Sequence, residues 1–426
     1  MMRLLPTAAF LVITLITNAQ GYTSYFTGNT VDEITEPMGG ICLMGGATES
    51  DAAMQWFLER ANGGDVLVLR ASGSDGYNDY FYSELGVTVN SVETIVFTNA
   101  SASSNEYVHE RIQQAEAIWF AGGDQWNYIS YWRGTEVAAL INEAINTRNI
   151  VIGGTSAGMA ILGEYYFSAE NGTITSDEAI ENPYHPDATV DGTPFLSIGL
   201  LQHTITDTHY DNPDRRGRHI AFLARMLTDA AIVPRGIACE EYTAICVDET
   251  GWSRVFGEYP DYDDFAYFIQ PNCALSDYTP EACNANEPLE WNKNSQALNV
   301  YGVPGTIDGL YGFDLSDWLM GNGGTWLHWS ISNQNVNQIL ALPPDCSVGI
   351  DEDSALATVF PNPTADVLNI ETLEIPELVL CYDLSGNLVL SWSKQQQVDV
   401  RSLPAGLYLL SITTAAKTAH THFMKY

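Results

Sequence analysis

Lysine is nearly absent from this chain. Only four occur in 426 residues, and Lys293 alone precedes residue 390. Positive charge as a whole is scarce, with 17 lysines and arginines against 53 acids and a formal net charge of -36. Such a surface repels phosphate backbones and anionic lipid, which argues against nucleic-acid binding and charge-held membrane association. The excess acid reads as a solubilising surface. Long apolar runs are missing too. The stretch from Met1 to Gln20 has one early cation, Arg3, an apolar middle too short for a membrane span, and small residues at Thr17 and Ala19, so residues 1–19 are expected to be a secretory signal peptide. Cysteines number seven, an odd count that argues against a disulfide scaffold, and no Cys-x-x-Cys or His-x-x-x-His spacing suggests zinc. Cys273 and Cys283 flank a loop with Pro and Asp and form the expected bridge, while Cys42, Cys239, Cys246 and Cys381 lie in apolar runs as small core residues.

What is present begins at Gly40, where short apolar runs alternate with amphipathic stretches. Ile41–Met44, Val66–Leu69, Thr94–Phe97, Ala117–Phe120 and Ile150–Ile152 lack polar alternation, and helical patterns separate them. That combination predicts a parallel sheet covered on both faces, with function in the loops at the carboxyl ends of its strands. Phe195–Leu200 reads as a further strand, as do segments around Asn299, Tyr311 and Thr325 that finish the domain. Tyr259–Asp264 is acidic but lacks a calcium-ligand spacing and reads as a solvated loop. After Pro343 the chain changes to short strands with period-two alternation and Ser-Gly-Asn and Pro-Ala-Gly turns, which predicts a small antiparallel β-sandwich.

Three stretches carry chemistry. In Gly154-Thr-Ser-Ala-Gly158 an apolar strand breaks at Ser156 and a helix follows, the pattern of a nucleophile elbow with helix N–H groups beside the hydroxyl. Ala121-Gly-Gly-Asp-Gln125 is a glycine loop at a helix start that lets backbone approach a ligand. His209 stands in a polar loop, followed by Arg215, Arg216 and Arg218 at the start of a helix, where cations oppose the helix dipole unless an anion joins them. Farther on, Glu240 and Glu241 interrupt an apolar double strand, and a carboxylate there could orient the histidine.

Two resemblances rest on these residues. Gly45-Gly-Ala47, Phe120–Gln125, Gly153–Gly158, Asp207–Tyr210 with Arg215–Arg218, and Gly236–Ala244 together resemble the cyanophycinase and dipeptidase E family of serine peptidases, whose fold is class I glutamine amidotransferase-like. The likeness covers residues 38 to about 256 and, less clearly, to 345. It implies Ser156 as nucleophile, His209 as general base and Glu241 as orienting acid, with Gln125, Arg215 and Arg218 in the substrate pocket. Elbow geometry beside a glycine loop makes the N–H groups of Gly123 and Ala157 the oxyanion donors. Thr208 and Pro213 stand where the family tends to have glutamine and a further arginine. The end of the chain resembles the type A C-terminal sorting domain of the type IX secretion system, through Phe360–Pro363, Asp383–Gly386, Leu403–Tyr408 and the basic end at Lys425.

The expected organisation is therefore a signal peptide at 1–19, an α/β peptidase domain at 38–345 with a parallel sheet flanked by helices, a linker at 346–355 and a β-sandwich sorting domain at 356–426. The resemblances imply a secreted or surface serine peptidase acting on aspartyl or β-aspartyl bonds of an acidic peptide or cyanophycin-like substrate, needing no cofactor and no metal, with the type IX secretion machinery as partner and a homodimer left open. A non-catalytic surface binding protein on the same fold, and an amidase or amidotransferase acting on a small amide, remain as alternatives.

Overall fold

The computed structural model describes residues 20–346, 358–372, 375–383, 388–414 and 418–426. The expected signal peptide at 1–19, the linker from 347 onward, residues 384–386 of the sorting motif and Lys417 lie outside them. The chain divides into two compact units, Met1–Pro344 and Asp345–Tyr426.

The first unit contains two large sheets. β1 (Tyr22–Gly28), β2 (Gly40–Met44), β3 (Asp65–Arg70), β4 (Ser91–Phe97), β5 (Ala117–Phe120) and β6 (Val151–Thr155) join two later strands, β11 (Ala244–Asp248) and β12 (Ser253–Phe256). The β7 (Tyr166–Phe167) and β8 (Val190–Asp191) ribbon, β9 (Thr204–Asp207) and β10 (Arg235–Cys239) lie between them in sequence. The eight strands run in the order β1-β4-β3-β5-β6-β2-β11-β12. Its five central strands are parallel, as the unbroken apolar runs require, and β1, β11 and β12 are antiparallel at the edges. β1, which lies before residue 38, pairs with β4 at the edge of this sheet.

Both faces of this sheet are covered because both sets of alternate side chains are apolar. Val66 and Val68 join the core beneath α1 (Asp51–Glu59), whereas Leu67 and Leu69 join the core formed with α2 (Glu106–Gln114), α3 (Gln125–Trp132) and α4 (Glu136–Thr147). Burying one such side chain contributes about 1.5–3 kcal/mol.

The second sheet was not foreseen as a separate layer. β13 (Phe265–Pro271), β14 (Leu298–Pro304), β17 (Thr325–Ser332) and β18 (Asn335–Leu340), past a small ribbon of β15 (Gly312–Phe313) and β16 (Gly321–Asn322), complete the order β18-β17-β14-β13-β10-β9. Only β9 and β10 are parallel in it. α6 (Ser176–Glu181) and α7 (Arg216–Ala230) share a core with it. The expected double strand around Glu240 and Glu241 is thus corrected: β10 belongs to one sheet and β11 to the other, and the two acids occupy the crossing.

Two further expectations fail for local reasons. Phe195–Leu200 is not a strand. Its backbone is caught by side chains, with Asn142 donating to Phe195 O and accepting from Ser197 N, and Asn146 donating to Ser197 O, while Phe195, Leu196 and Ile198 fill the core. The Cys273–Cys283 bridge does not form either. Cys283 is a free thiol buried among the α7 core residues, and Cys273 is disulfide-bonded elsewhere. Cys42, Cys239, Cys246 and Cys381 are free and buried, as apolar core positions should be.

The second unit is a two-sheet antiparallel structure. Three strands, Thr358–Phe360, Val367–Glu371 and Gln397–Asp399, form one sheet. The other has four, Leu388–Ser393, Leu378–Tyr382, Gly406–Thr413 and Thr418–Lys425. Leu368, Val379, Cys381, Leu410 and Phe423 fill the core of this unit.

Candidate active site

The elbow forms where β6 meets the short helix α5 (Ala157–Ala160). Ser156 itself carries the strain, at φ 52° and ψ -117°, a conformation L-residues rarely adopt. The flanking glycines serve close packing. A Cβ on Gly154 would stand 2.6 Å from the Gly158 carbonyl carbon, and one on Gly158 would stand 2.6 Å from that of Phe120. They permit strand, helix and neighbouring strand to pack closely, which presses the turn outward. The Ser156 N–H is taken by Met44 O at 3.1 Å, so it does not face the reacting centre.

His209 approaches from the other sheet, in the loop after β9. Its N–H donates to Gly45 O at 2.9 Å, and its imidazole lies over Gly46, where φ is +130°. Only glycine fits there. The ring lies between the two expected partners: Nε2 is 2.8 Å from Ser156 Oγ and Nδ1 is 2.6 Å from Glu241 Oε1. The bond to His209 holds the Glu241 carboxyl below its usual range, with help from Asn212 and from the nearby positive charges. Ionised Glu241 accepts the hydrogen bond from Nδ1–H, which leaves Nε2 free to accept from the serine hydroxyl. His209 follows the end of β9 in one sheet, and Ser156 follows the end of β6 in the other. The triad is assembled across the two sheets.

Two residues outside the expected set steady the acid. Asp211 Oδ1 accepts the Glu241 N–H at 3.0 Å, and Asn212 Nδ2 lies 3.4 Å from Glu241 Oε2. The sequence offered a signal for neither beyond their place in the histidine loop.

The glycine loop after β5 runs beside the nucleophile, since a Cβ on Gly122 would be 3.6 Å from Ser156 Cβ. Asp124 caps α3 by accepting from Trp126 N at 2.9 Å. Tyr128 Oη donates to Ala121 O at 2.9 Å and Gly122 O at 3.1 Å. Because C=O and N–H point oppositely across a trans peptide, the Gly123 N–H is turned away from Tyr128. Ala157 is the first residue of α5, where N–H groups lack intrahelical acceptors. Gln125 begins α3 with Nε2 3.4 Å from Phe167 O.

The three arginines differ in how fully they are already paired. Arg218 is buried and bonds Asp207 through two nitrogens, Nε to Oδ2 at 2.8 Å and an Nη to Oδ1 at 2.5 Å, with its guanidinium 5.1 Å from the Phe167 ring centroid. The carboxylate it holds is the protein's own. Burial would raise the Asp207 pKa, but the charges and hydrogen bonds of Arg218 reverse that and leave it below the usual range. Arg216 is held in the same manner by Asp214. Arg215 is less committed: one Nη donates to Thr208 O at 2.8 Å and lies 3.9 Å from Asp207. Burial and the charge of Arg218 pull its pKa down. A cavity of about 630 Å³ is lined by Thr175, Ser176, Asp214, Arg215, Arg216 and Arg218 among others. Among the described residues no group of three or more His, Cys, Asp or Glu is placed to hold a metal.

An α/β sheet with a strained serine at an elbow and a hydrogen-bonded histidine and glutamate defines the Ser-His-acid class of site. Residues 43–255 match the model of peptidase family S51, and the chain belongs to that family. Residues 358–425 match the secretion system C-terminal sorting domain, which indicates secretion or display at the cell surface. The chain is 24% identical over 221 residues to a cyanophycinase of Trichormus variabilis and 25% identical over 232 residues to one of Synechococcus elongatus. These matches take in 52% and 51% of this chain and 66% of each relative's length. A solved peptidase from an acI-B1 actinobacterium is 15% identical with a TM-score of 0.38, covering 52% of this chain and 89% of that one.

Proposed function

We propose that this protein is a secreted serine peptidase that hydrolyses aspartyl or β-aspartyl peptide bonds through an acyl-enzyme. The observation that carries the reading is the unbroken chain from Ser156 Oγ to His209 Nε2 at 2.8 Å and from His209 Nδ1 to Glu241 at 2.6 Å. His209 takes the serine proton as Oγ attacks the carbonyl carbon, and Glu241 stabilises the imidazolium that results. The N–H groups of Gly123 and Ala157 receive the oxyanion. His209 then passes its proton to the leaving amine. Water, activated by the same histidine, releases the acyl group and restores Ser156.

The acidic character of the substrate rests on Arg215. With Arg216 and Arg218 tied to Asp214 and Asp207, it is the member of the cluster whose nearest carboxylate, that of Asp207, is 3.9 Å away and already held by Arg218. Arginine matches a carboxylate in two-point geometry, and on a surface of net charge -36 one local cation discriminates strongly. The name borne by the relatives makes cyanophycin one test polymer, and Pro213 and Thr208 alter the pocket in which it would bind. Residues 1–19 serve as the signal for the first membrane crossing and the sorting domain for the second.

The test is mass-spectrometric analysis of products from α-aspartyl peptides, β-aspartyl peptides and cyanophycin, with the native protein and Ser156→Ala. Cleavage by the native protein alone is expected. Equal turnover by both proteins refutes the peptidase reading, and release of ammonia from free amides instead of peptide cleavage points to an amidase.

A further inference from the structure

Glu240 and Glu241 stand together at the crossing between the sheets, and the triad uses only the second. Glu240 is nevertheless the more firmly held. Its N–H donates to Phe265 O at 3.0 Å, and its carbonyl accepts from Thr243 N at 3.3 Å. Its carboxyl accepts from Phe265 N at 2.8 Å through Oε2 and from Tyr267 Oη at 3.0 Å through Oε1.

The ladder of β10 on β13 ends at Cys239 opposite Ala266, so the Glu240 side chain satisfies an N–H of β13 just beyond the last paired residues. One residue later the chain has left the second sheet. The turn that follows has little slack: the Glu241 N–H is held by Asp211, the Tyr242 N–H by Gly46 O at 3.1 Å, and Tyr242 sits at φ 62°. A Cβ on Gly45 would overlap the Glu240 carbonyl oxygen. The position of Glu241 is therefore inherited from where its neighbour is clamped.

We infer that Glu240 is a positioning residue for the triad: its carboxyl pins the crossing turn to β13 and so sets where Glu241 meets His209. The inference rests on the serine-peptidase reading for its consequence in catalysis, and on geometry alone for the clamp.

The clamp is sensitive to protons. Burial pushes the Glu240 carboxyl up to about 7, against the two hydrogen bonds that favour its ionised form. The groups facing it are the carboxylates of Asp211 from the histidine loop and Asp264 from the segment before β13, and Tyr267 on β13. Arg216 at the start of α7 reaches the same cluster through Tyr267. Ionised, the carboxyl accepts from both Phe265 and Tyr267. Protonated, one oxygen becomes a donor and the clamp loses an acceptor. Activity should thus rise through the ionisation of Glu240.

The full chain is tested as native protein, Glu240→Gln and Glu240→Ala, by two readouts across acid to alkaline pH. One is the rate at which a fluorophosphonate labels Ser156. The other is the low-field proton resonance of His209 Nδ1–H, assigned by its loss in His209→Gln. Glu240→Ala should slow labelling on the order of a hundredfold, the cost of a displaced catalytic group, and abolish or shift the resonance. Glu240→Gln keeps an acceptor for Phe265 N–H, so it should keep the resonance and most of the rate but lose one ionisation from the pH profile. Unchanged profile and resonance in Glu240→Gln overturn the inference, and that variant decides the matter if Glu240→Ala does not fold. Failure of the native protein to label, with a resonance that still responds to Glu240, removes the peptidase reading and leaves the clamp standing.

Discussion

Gly46 and His209 lie in loops that follow strands of different sheets, yet a Cβ on the glycine would stand 2.5 Å from His209 Nε2 and 2.8 Å from Nδ1. The imidazole thus rests on bare backbone. Gly46→Ala is expected to push the ring off line with Ser156 and lower the turnover number on the order of a hundredfold. The φ of +130° adds a backbone cost of about 1–3 kcal/mol. Steady-state kinetics with a denaturation curve separates the two effects.

Ser156 stores strain at φ 52° and ψ -117°. Ser156→Gly should relieve about 1–3 kcal/mol of it, offset by roughly 0.5–1 kcal/mol of extra chain entropy in the unfolded state. Ser156→Ala keeps its Cβ and therefore the strain. Denaturant titration should find the glycine variant more stable than the alanine variant, although both are inactive.

Asp207 and Arg218 form a buried pair, so Asp207→Asn leaves an uncompensated guanidinium and should cost about 3–5 kcal/mol. The native pair has its own pH signature. The folded pKa of Asp207 lies below the ordinary 3.8, so its contribution is present above that value and is lost as pH falls through the folded pKa. Acid titration of stability should show a steep fall there in the native protein.

Glu116 works in the opposite sense. Burial raises its carboxyl to about 7, and Asp65 and Asp32 add to the rise, although its Oε2 accepts from Asp65 N at 2.8 Å. Its contribution is fully present below the unfolded carboxyl pKa and is lost as pH rises through about 7. Glu116→Gln retains the acceptor and removes the charge, and should gain on the order of 1–3 kcal/mol at mildly alkaline pH and little in acid. Thermal unfolding at two pH values measures the difference.

Arg215 is the specificity test. Arg215→Ala should raise KM for an acidic peptide by roughly tenfold or more, while Arg215→Lys recovers only part, because an ammonium cannot make the two-point contact. Kinetics with an amidated counterpart of the peptide should show little change in either variant.

Much of the site was legible in sequence because its parts are local. The elbow needs small residues in consecutive positions, and Gly154, Ser156 and Gly158 state that directly. The apolar runs of β2 through β6 announced buried parallel strands, since both faces of such a sheet are dry. The arginines were read only in part. Three cations at one helix start are conspicuous, but their partners Asp207 and Asp214 are equally polar in a linear reading, and only packing shows which charges are already neutralised.

By itself, then, the sequence determined which residue types could form a nucleophile, a base and an acid, and the order in which the chain presents them. It also determined the α/β character of the first unit and the short alternating strands of the second. Tertiary structure decided that β10 and β11 part into different sheets, that His209 settles on Gly46, that Cys283 stays free and that Arg218 faces its own aspartate. The physical reason is separation along the chain. Propensity and periodicity report on neighbours a few residues apart, whereas these contacts join residues from 11 positions apart, as in Arg218 and Asp207, to well over a hundred, as in Gly46 and His209, where burial and pairing of charges select the partner.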